Sequence, residues 1–260
     1  MKIAISGKGG VGKTLLAALL ARTFADSGFS VLAIDADPDA NLAATLGFPE
    51  PEKIVPISEM KELVEERTGA KAGTTGSFFK LNPKVDDIPE RYALERNGIK
   101  LMVMGRTKKG GTGCYCPENT LLQTLVSHLL LARGEVVILD MEAGIEHLGR
   151  ATARAVDRLI VVVEPWRRAI ETAYRINELA RDIGVRNIAV VGNKIRSQTE
   201  KDFIVSSLPG FPFLGFIPYD QALVDADLAN RSLLEASHKI IGEIKNIHQA
   251  LLSTAPASAT

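Results

Sequence analysis

Residues 7–14 read Gly7-Lys8-Gly9-Gly10-Val11-Gly12-Lys13-Thr14. Gly7, Gly12, Lys13 and Thr14 fit the spacing G-x-x-x-x-G-K-[ST], a loop that cradles phosphate. Its glycines let backbone N–H groups approach an anion, and a following helix adds the positive end of its dipole. In such a loop Lys13 sits on the β- and γ-phosphate oxygens and the Thr14 hydroxyl on Mg²⁺. A short apolar strand (Ile3, Ala4, Ile5) precedes the loop, and an Ala/Leu-rich stretch from Leu15 to Phe24 follows it. The chemistry that this context serves is nucleoside triphosphate binding.

Two more carboxylate segments sit where such chemistry needs them. Asp35-Ala36-Asp37-Pro38-Asp39 follows an apolar strand, and Val136–Leu139 runs directly into Asp140. A carboxylate at the C-terminal end of a strand lies in the crevice where open α/β sheets hold their ligands. Asp140 is expected to hold Mg²⁺ through water, because that ion keeps several of its waters. Asp35 is read as a structural partner.

Cys114 and Cys116, within Gly113-Cys114-Tyr115-Cys116-Pro117, are the two cysteines of the chain. Two thiolates cannot complete a tetrahedral sulfur site, whereas the same pair from each of two chains can. Such a site suits Zn²⁺ or an Fe–S cluster, or Ni²⁺ in a flatter geometry.

Lys8 places a second lysine inside the phosphate loop. The pattern resembles the deviant Walker A loop of the family that includes nitrogenase iron protein, the MinD and ParA partition ATPases and the arsenite-type ATPases. That resemblance implies that Lys8 crosses a dimer interface to the partner's nucleotide. It makes Lys8, Lys13 and Asp37 the catalytic set, Asp37 ordering the attacking water. Gly9, Gly10, Val11, Gly12, Lys13 and Thr14 hold the phosphates, and Gly144 senses the γ-phosphate. Gly192-Asn193-Lys194 follows an apolar strand and resembles the Asn-Lys element that contacts the purine in related NTPases; an Asn amide offers both donor and acceptor to adenine. Arg196 stands where an Asp would enforce guanine. Ile217-Pro218-Tyr219-Asp220 is similar to the family's Ile-Pro segment lining the adenine slot. ATP is the expected nucleotide.

The loop, the Asp35–Asp39 segment, the Cys-x-Cys run and Asp140-Met141-Glu142-Ala143-Gly144-Ile145-Glu146-His147 together resemble the carbon monoxide dehydrogenase accessory ATPases of the CooC type, from Met1 to about Leu252. The resemblance implies a nucleotide- and metal-dependent homodimer that serves nickel insertion into carbon monoxide dehydrogenase apoenzyme, with Ni²⁺ or Zn²⁺ at Cys114 and Cys116. The ATP dimer and the metal site call for the same partner chain. The alternatives are a maturation ATPase for acetyl-CoA synthase and a MinD/ParA-type positioning ATPase. His147 is read as an ordinary exposed or capping histidine. An electron donor like nitrogenase iron protein also binds a cluster with two cysteines per chain, but those are widely separated in sequence.

Composition fits these readings. There are 31 basic and 31 acidic residues, so no nucleic-acid partner and no anionic membrane surface is expected. No apolar run approaches the roughly 20 residues that span a bilayer. The chain enters at once into a strand, leaving no room for a signal peptide, and ATP chemistry then points to the cytoplasm.

The elements that must position these residues alternate between strand and helix, the pattern of a doubly wound, mainly parallel sheet. Seven strands are expected: Lys2–Ser6, Val31–Asp35, Lys100–Met104, Val136–Asp140, Leu159–Glu164, Ile188–Val191 and Leu214–Ile217. Helical patterns include Met60–Arg67, Glu118–Arg133 and residues 170–183, where Ile170, Ala173, Ile176, Leu179, Ala180 and Ile183 share a face before Gly184 stops the helix. Residues 49–98 interrupt the rhythm and read as an insertion at the sheet edge. A single P-loop domain over 1–252 with a flexible tail over 253–260 is the expected organisation.

Overall fold

The computed structural model describes residues 1–71, 78–105, 117–132, 135–142, 153, 155–229 and 231–253. Its centre is a sheet of eight strands: β1 (Lys2–Gly7), β2 (Val31–Ala36), β3 (Leu94–Arg96), β4 (Ile99–Val103), β5 (Val136–Met141), β6 (Arg158–Val163), β7 (Ile188–Ile195) and β8 (Phe213–Pro218). The spatial order is β3-β4-β2-β5-β1-β6-β7-β8. All pairs are parallel except β3 with β4. The fold is therefore the expected doubly wound α/β sheet.

Alternation along each strand sends side chains to two cores. From β1 and β5, Ala4, Val137, Leu139 and Met141 join one core, while Ile3, Ile5, Val136 and Ile138 join the other. A strand apolar on both faces fits only between two helical layers. One layer holds α1 (Lys13–Asp26), α2 (Leu42–Thr45) and the final helix, which runs His238–Ser253. That final helix buries Ile240, Ile244, Ile247 and Leu251, a spacing of three or four that makes one apolar stripe. It presses so closely on β8 that a Cβ on Gly215 would lie 2.7 Å from Ile247 Cγ1.

The opposite layer holds α3 (Lys61–Thr68), α4 (Ile88–Tyr92), α5 (Pro117–Ala132), α6 (Arg167–Ile183) and α7 (Gln198–Ser207). Helix α6 buries Ile170, Ala173, Ile176 and Ala180, as its periodicity requires. Leu179 instead lies half in solvent, since it falls beside the stripe rather than on it. Gly184 ends α6 in the left-handed conformation at φ 96°. After β8 come α8 (Gln221–Leu228) and the final helix, α9.

The eighth strand corrects the expected count. Leu94–Arg96 is short, exposed throughout and antiparallel to β4, so it carries no buried apolar run to betray it. Its signal is the turn: Asn97 and Gly98 both take positive φ, the pairing that a tight hairpin demands. The rest of the 49–98 stretch packs Ile57, Leu63, Val64, Val85 and Ile88 into the sheet core. Arg67 grips both oxygens of Asp87 at 2.8 Å, joining α3 to the start of α4. The proposed tail at 253–260 lies, beyond Ser253, outside the described residues.

Candidate nucleotide site

The described residues of the site gather at the C-terminal ends of the strands, within the last residues of a strand or just beyond it. The phosphate loop leaves β1, which lies between β5 and β6, and closes into the first turn of α1. Gly12 takes φ 92° at the start of α1, and Gly10 takes φ 81°. Val11 is buried between them, pinning the loop to the core. Lys13 is 6% exposed in the first turn of α1, whereas Lys8 is exposed. Lys8 lines a surface cavity with Pro165, Trp166, Arg167, Arg168 and Phe203.

Two buried carboxylates face each other under the loop. Asp35 at the end of β2 is in register with Asp140 at the end of β5, and both are fully buried. Asp35 accepts hydrogen bonds from the N–H of Leu42 (2.9 Å) and of Asp37 (3.2 Å), so it shapes the segment that carries Asp37. Burial nonetheless pushes its carboxyl up to about 6, those N–H groups opposing the rise. Asp37 accepts the Asp39 N–H at 2.9 Å, a local turn that orients its carboxylate.

Asp140 differs. Neither of its oxygens has a hydrogen-bond partner among the described residues. Burial raises its carboxyl to about 7; the Thr14 hydroxyl and Lys13 oppose that rise, while Asp35 and Asp37 add to it. The Thr14 hydroxyl is thus close enough to act on Asp140 but closes no hydrogen bond of ordinary geometry. An orphaned buried carboxylate is costly unless something cationic or hydrogen-bonding completes it. A hydrated Mg²⁺ between Thr14 and Asp140 fits these groups, with oxygen donors throughout.

In the segment expected to line the adenine slot, Ile217 is buried at the end of β8 and Pro218 closes the strand. Tyr219 is fixed by its N–H to the Ile195 carbonyl (2.9 Å) and by Arg196, whose guanidinium lies 4.4 Å from the ring centroid. Asp220 serves the frame: it accepts the Ala222 N–H at 3.0 Å, capping α8, and the Ser237 hydroxyl at 2.5 Å. Ser237 in turn accepts the Ile240 N–H in the first turn of α9. Both bonds hold the Asp220 carboxyl below its ordinary range, Ser237 contributing most.

Asn193 and Lys194 do not follow β7 but lie inside it, where the pairing with β8 slips between Gly192 and Ile195. The Asn193 amide donates to the Val11 carbonyl at 2.7 Å, and Lys194 Nζ donates to the Gly10 carbonyl at 2.8 Å. The Asn193 carbonyl accepts the Lys194 N–H, leaving this amide one N–H and one lone pair for a base. Lys194 also pairs with Glu164, at 2.5 Å, a carboxylate the sequence reading passed over. Its signal was available: Glu164 directly follows β6, as Asp35 and Asp140 stand next to last in their strands.

Cys114, Cys116, Gly144 and His147 lie outside the described residues. Among those described, no group of three or more His, Cys, Asp or Glu is placed to hold a metal ion. No helix there is long and apolar enough to cross a membrane.

A doubly wound sheet, a phosphate loop at its switch point and an unsatisfied carboxylate at the neighbouring strand end define a P-loop ATPase. A profile of the CobQ/CobB/MinD/ParA nucleotide binding domain matches residues 2–233. The chain belongs to that family, and within it to the CooC-type ATPases. It is 49% identical to the carbon monoxide dehydrogenase accessory protein CooC of Rhodospirillum rubrum, over 91% of this chain and 90% of that one. It is 46% identical to an uncharacterized ATP-binding protein of Methanocaldococcus jannaschii, over 97% and 98% of the two chains. Among solved structures, a chain of the MinC:MinD cell division protein complex of Aquifex aeolicus superposes with a TM-score of 0.70 at 22% identity, covering 99% and 98%. A ParA family ATPase of Chlorobium tepidum gives 0.69 at 19% identity, covering 96% and 97%. At these identities the two structures bear on the fold alone.

Proposed function

We propose that this ATPase is an accessory protein for nickel insertion into carbon monoxide dehydrogenase, working as a homodimer joined by nucleotide and metal. The observation that carries the reading is the end-to-end similarity to a protein named for that enzyme, in a chain whose two cysteines form a Cys-x-Cys pair. Cys114 and Cys116 of two chains supply four thiolates for Ni²⁺, or for Zn²⁺ in its place.

In the ATPase half, the loop amides and Lys13 bind the phosphates, and Thr14 and Asp140 hold Mg²⁺, which neutralises charge developing on the phosphoryl oxygens. Asp37, oriented by its turn, positions the attacking water, and Gly144 follows the γ-phosphate. Ile217, Pro218 and Tyr219 enclose the adenine beside the remaining donor and acceptor of Asn193. Lys8 reaches the partner's nucleotide. Closing two chains on two nucleotides brings both Cys-x-Cys pairs together, and release of the γ-phosphate separates them and frees the metal.

Reconstitution tests this directly. Nickel-deficient apoenzyme is mixed with the protein, Mg-ATP and limiting Ni²⁺, and CO oxidation is followed. Wild type should activate the apoenzyme, binding one metal per two chains. Asp37→Ala should keep metal but fail to activate, and Cys114→Ser should hydrolyse ATP but fail. Full activation by Asp37→Ala would uncouple hydrolysis from insertion, and full activation by Cys114→Ser would remove the thiolates as carrier.

A further inference from the structure

We infer that Glu164 and Lys194 form a latch that holds the phosphate loop in its anion-binding shape, so that Lys194 sets affinity for the phosphate chain rather than identity of the base. The inference rests on the nucleotide site described above and assigns its positioning residues.

Two observations and one general requirement converge on it. The Lys194 ammonium lies between the Gly10 carbonyl (2.8 Å) and the Glu164 carboxylate (2.5 Å), so it ties the loop to the end of β6. The neighbouring Asn193 amide holds the next loop carbonyl, Val11, at 2.7 Å. A loop that binds anions must turn its N–H groups inward, and its carbonyls then point away and need donors of their own. Asn193 and Lys194 supply those donors at two successive peptides.

The backbone is arranged to make this possible. Lys194 sits at φ 58°, a left-handed conformation that disfavours a side chain such as lysine, at the irregularity between Gly192 and Ile195. In a regular strand, successive side chains would point to opposite faces. Here the slip lets both reach the loop. Gly192 is required at the same point, since a Cβ there would lie 2.5 Å from the Phe216 ring. On the other side, a Cβ on Gly12 would lie 2.4 Å from the Asn193 amide nitrogen, so the glycine of the motif also makes room for the latch. Glu164 is largely buried beside this contact, with its side chain 17% exposed; it forms an ion pair with the ammonium without closing a hydrogen bond, and supplies the counter-charge that holds it there.

The test compares ATP, GTP and inorganic tripolyphosphate, each with Mg²⁺, by calorimetry on the full-length protein. Lys194→Gln should weaken ATP and tripolyphosphate by the same factor, about tenfold, as loss of one charge-assisted hydrogen bond implies. Glu164→Gln should weaken both in parallel. The double variant should be little worse than either single, because the two residues act as one unit. Lys194→Gly relaxes the backbone yet loses the ammonium, so it should bind as weakly as Lys194→Gln while its apoprotein melts no lower than wild type. Loss confined to ATP, with tripolyphosphate unchanged, would show that Lys194 reads the base and overturn the latch. Unchanged affinity in Lys194→Gln, or fully additive losses in the double variant, would also overturn it. Absence of ATP binding by wild type would instead overturn the nucleotide site itself.

Discussion

Asp35 and Asp140 stand side by side on adjacent strands, fully buried, one satisfied by backbone N–H groups and the other by nothing among the described residues. That asymmetry separates a carboxylate that builds from one that binds. At pH 8, where the Asp140 carboxyl is mostly ionised, Asp140→Asn should therefore leave an apoprotein more stable than wild type by about 1–3 kcal/mol, since a buried charge is removed. The same variant should lose the extra thermal stability that Mg-ATP confers on wild type. Calorimetric melting with and without Mg-ATP reads both effects, and a destabilised apoprotein would assign Asp140 to the frame.

Lys13 and Asp37 should fail in different ways. Lys13→Ala should lose nucleotide binding. Asp37→Ala should bind ATP within a few-fold of wild type and hydrolyse it about 10²-fold more slowly, the scale expected of one positioned catalytic group. Single-turnover hydrolysis alongside equilibrium binding separates the two. Equal turnover in Asp37→Ala and wild type would strip Asp37 of its role.

Trp166 is the one tryptophan of the chain, 67% exposed, and shares its cavity with Lys8. If ATP pairs two chains across Lys8, Mg-ATP should shield Trp166 from acrylamide quenching in step with a doubling of mass by light scattering. Lys8→Ala should bind ATP but show neither change. ATP-driven dimers of Lys8→Ala would show that this lysine does not bridge the chains.

His248 carries a pH signature opposite in sign to that of Asp35 and Asp140. It packs edge-on against Phe24 at 4.4 Å between ring centroids, its Nε2 without a hydrogen-bond partner among the described residues, and burial lowers its affinity for a proton below the usual 6.5. Arg22, Asp26 and Lys245 line the cavity next to it. As pH falls below 6.5 the unfolded chain takes the proton first, so stability from this packing is intact above that value and is lost below it. Burial of Asp35 and Asp140 acts with the opposite sign, stability rising as their carboxyls take up protons. The urea midpoint measured at pH 5 relative to pH 8 should therefore be lower in wild type than in His248→Phe, whichever way both move. Equal changes in the two proteins would place the acid sensitivity elsewhere.

The phosphate loop, the two strand-end aspartates and the doubly wound sheet are legible in the sequence because each depends on local pattern: glycine spacing, apolar runs and carboxylates that follow them. Gly184 likewise announces the end of α6. The roles of Asn193, Lys194 and Asp220 are not legible in that way. Asn193 and Lys194 meet residues some 180 positions earlier, and only the slip between β7 and β8 turns both toward the loop. Asp220 looks like a loop carboxylate, yet it caps α8 and reaches Ser237 ahead of α9, a pairing that needs the position of a helix not yet encountered in the chain. β3 escaped because three exposed residues carry no burial pattern.

The order of the strands has a consequence for how the chain is made. The phosphate loop is among the first residues synthesised, but the donors to its carbonyls arrive only at Asn193 and Lys194. At translation rates of about 5–20 residues per second, the loop waits roughly 10–40 s before its supports exist. On the latch proposed above, a nascent chain lacks the braced site through that interval, so nucleotide stabilises only a chain synthesised as far as these late residues.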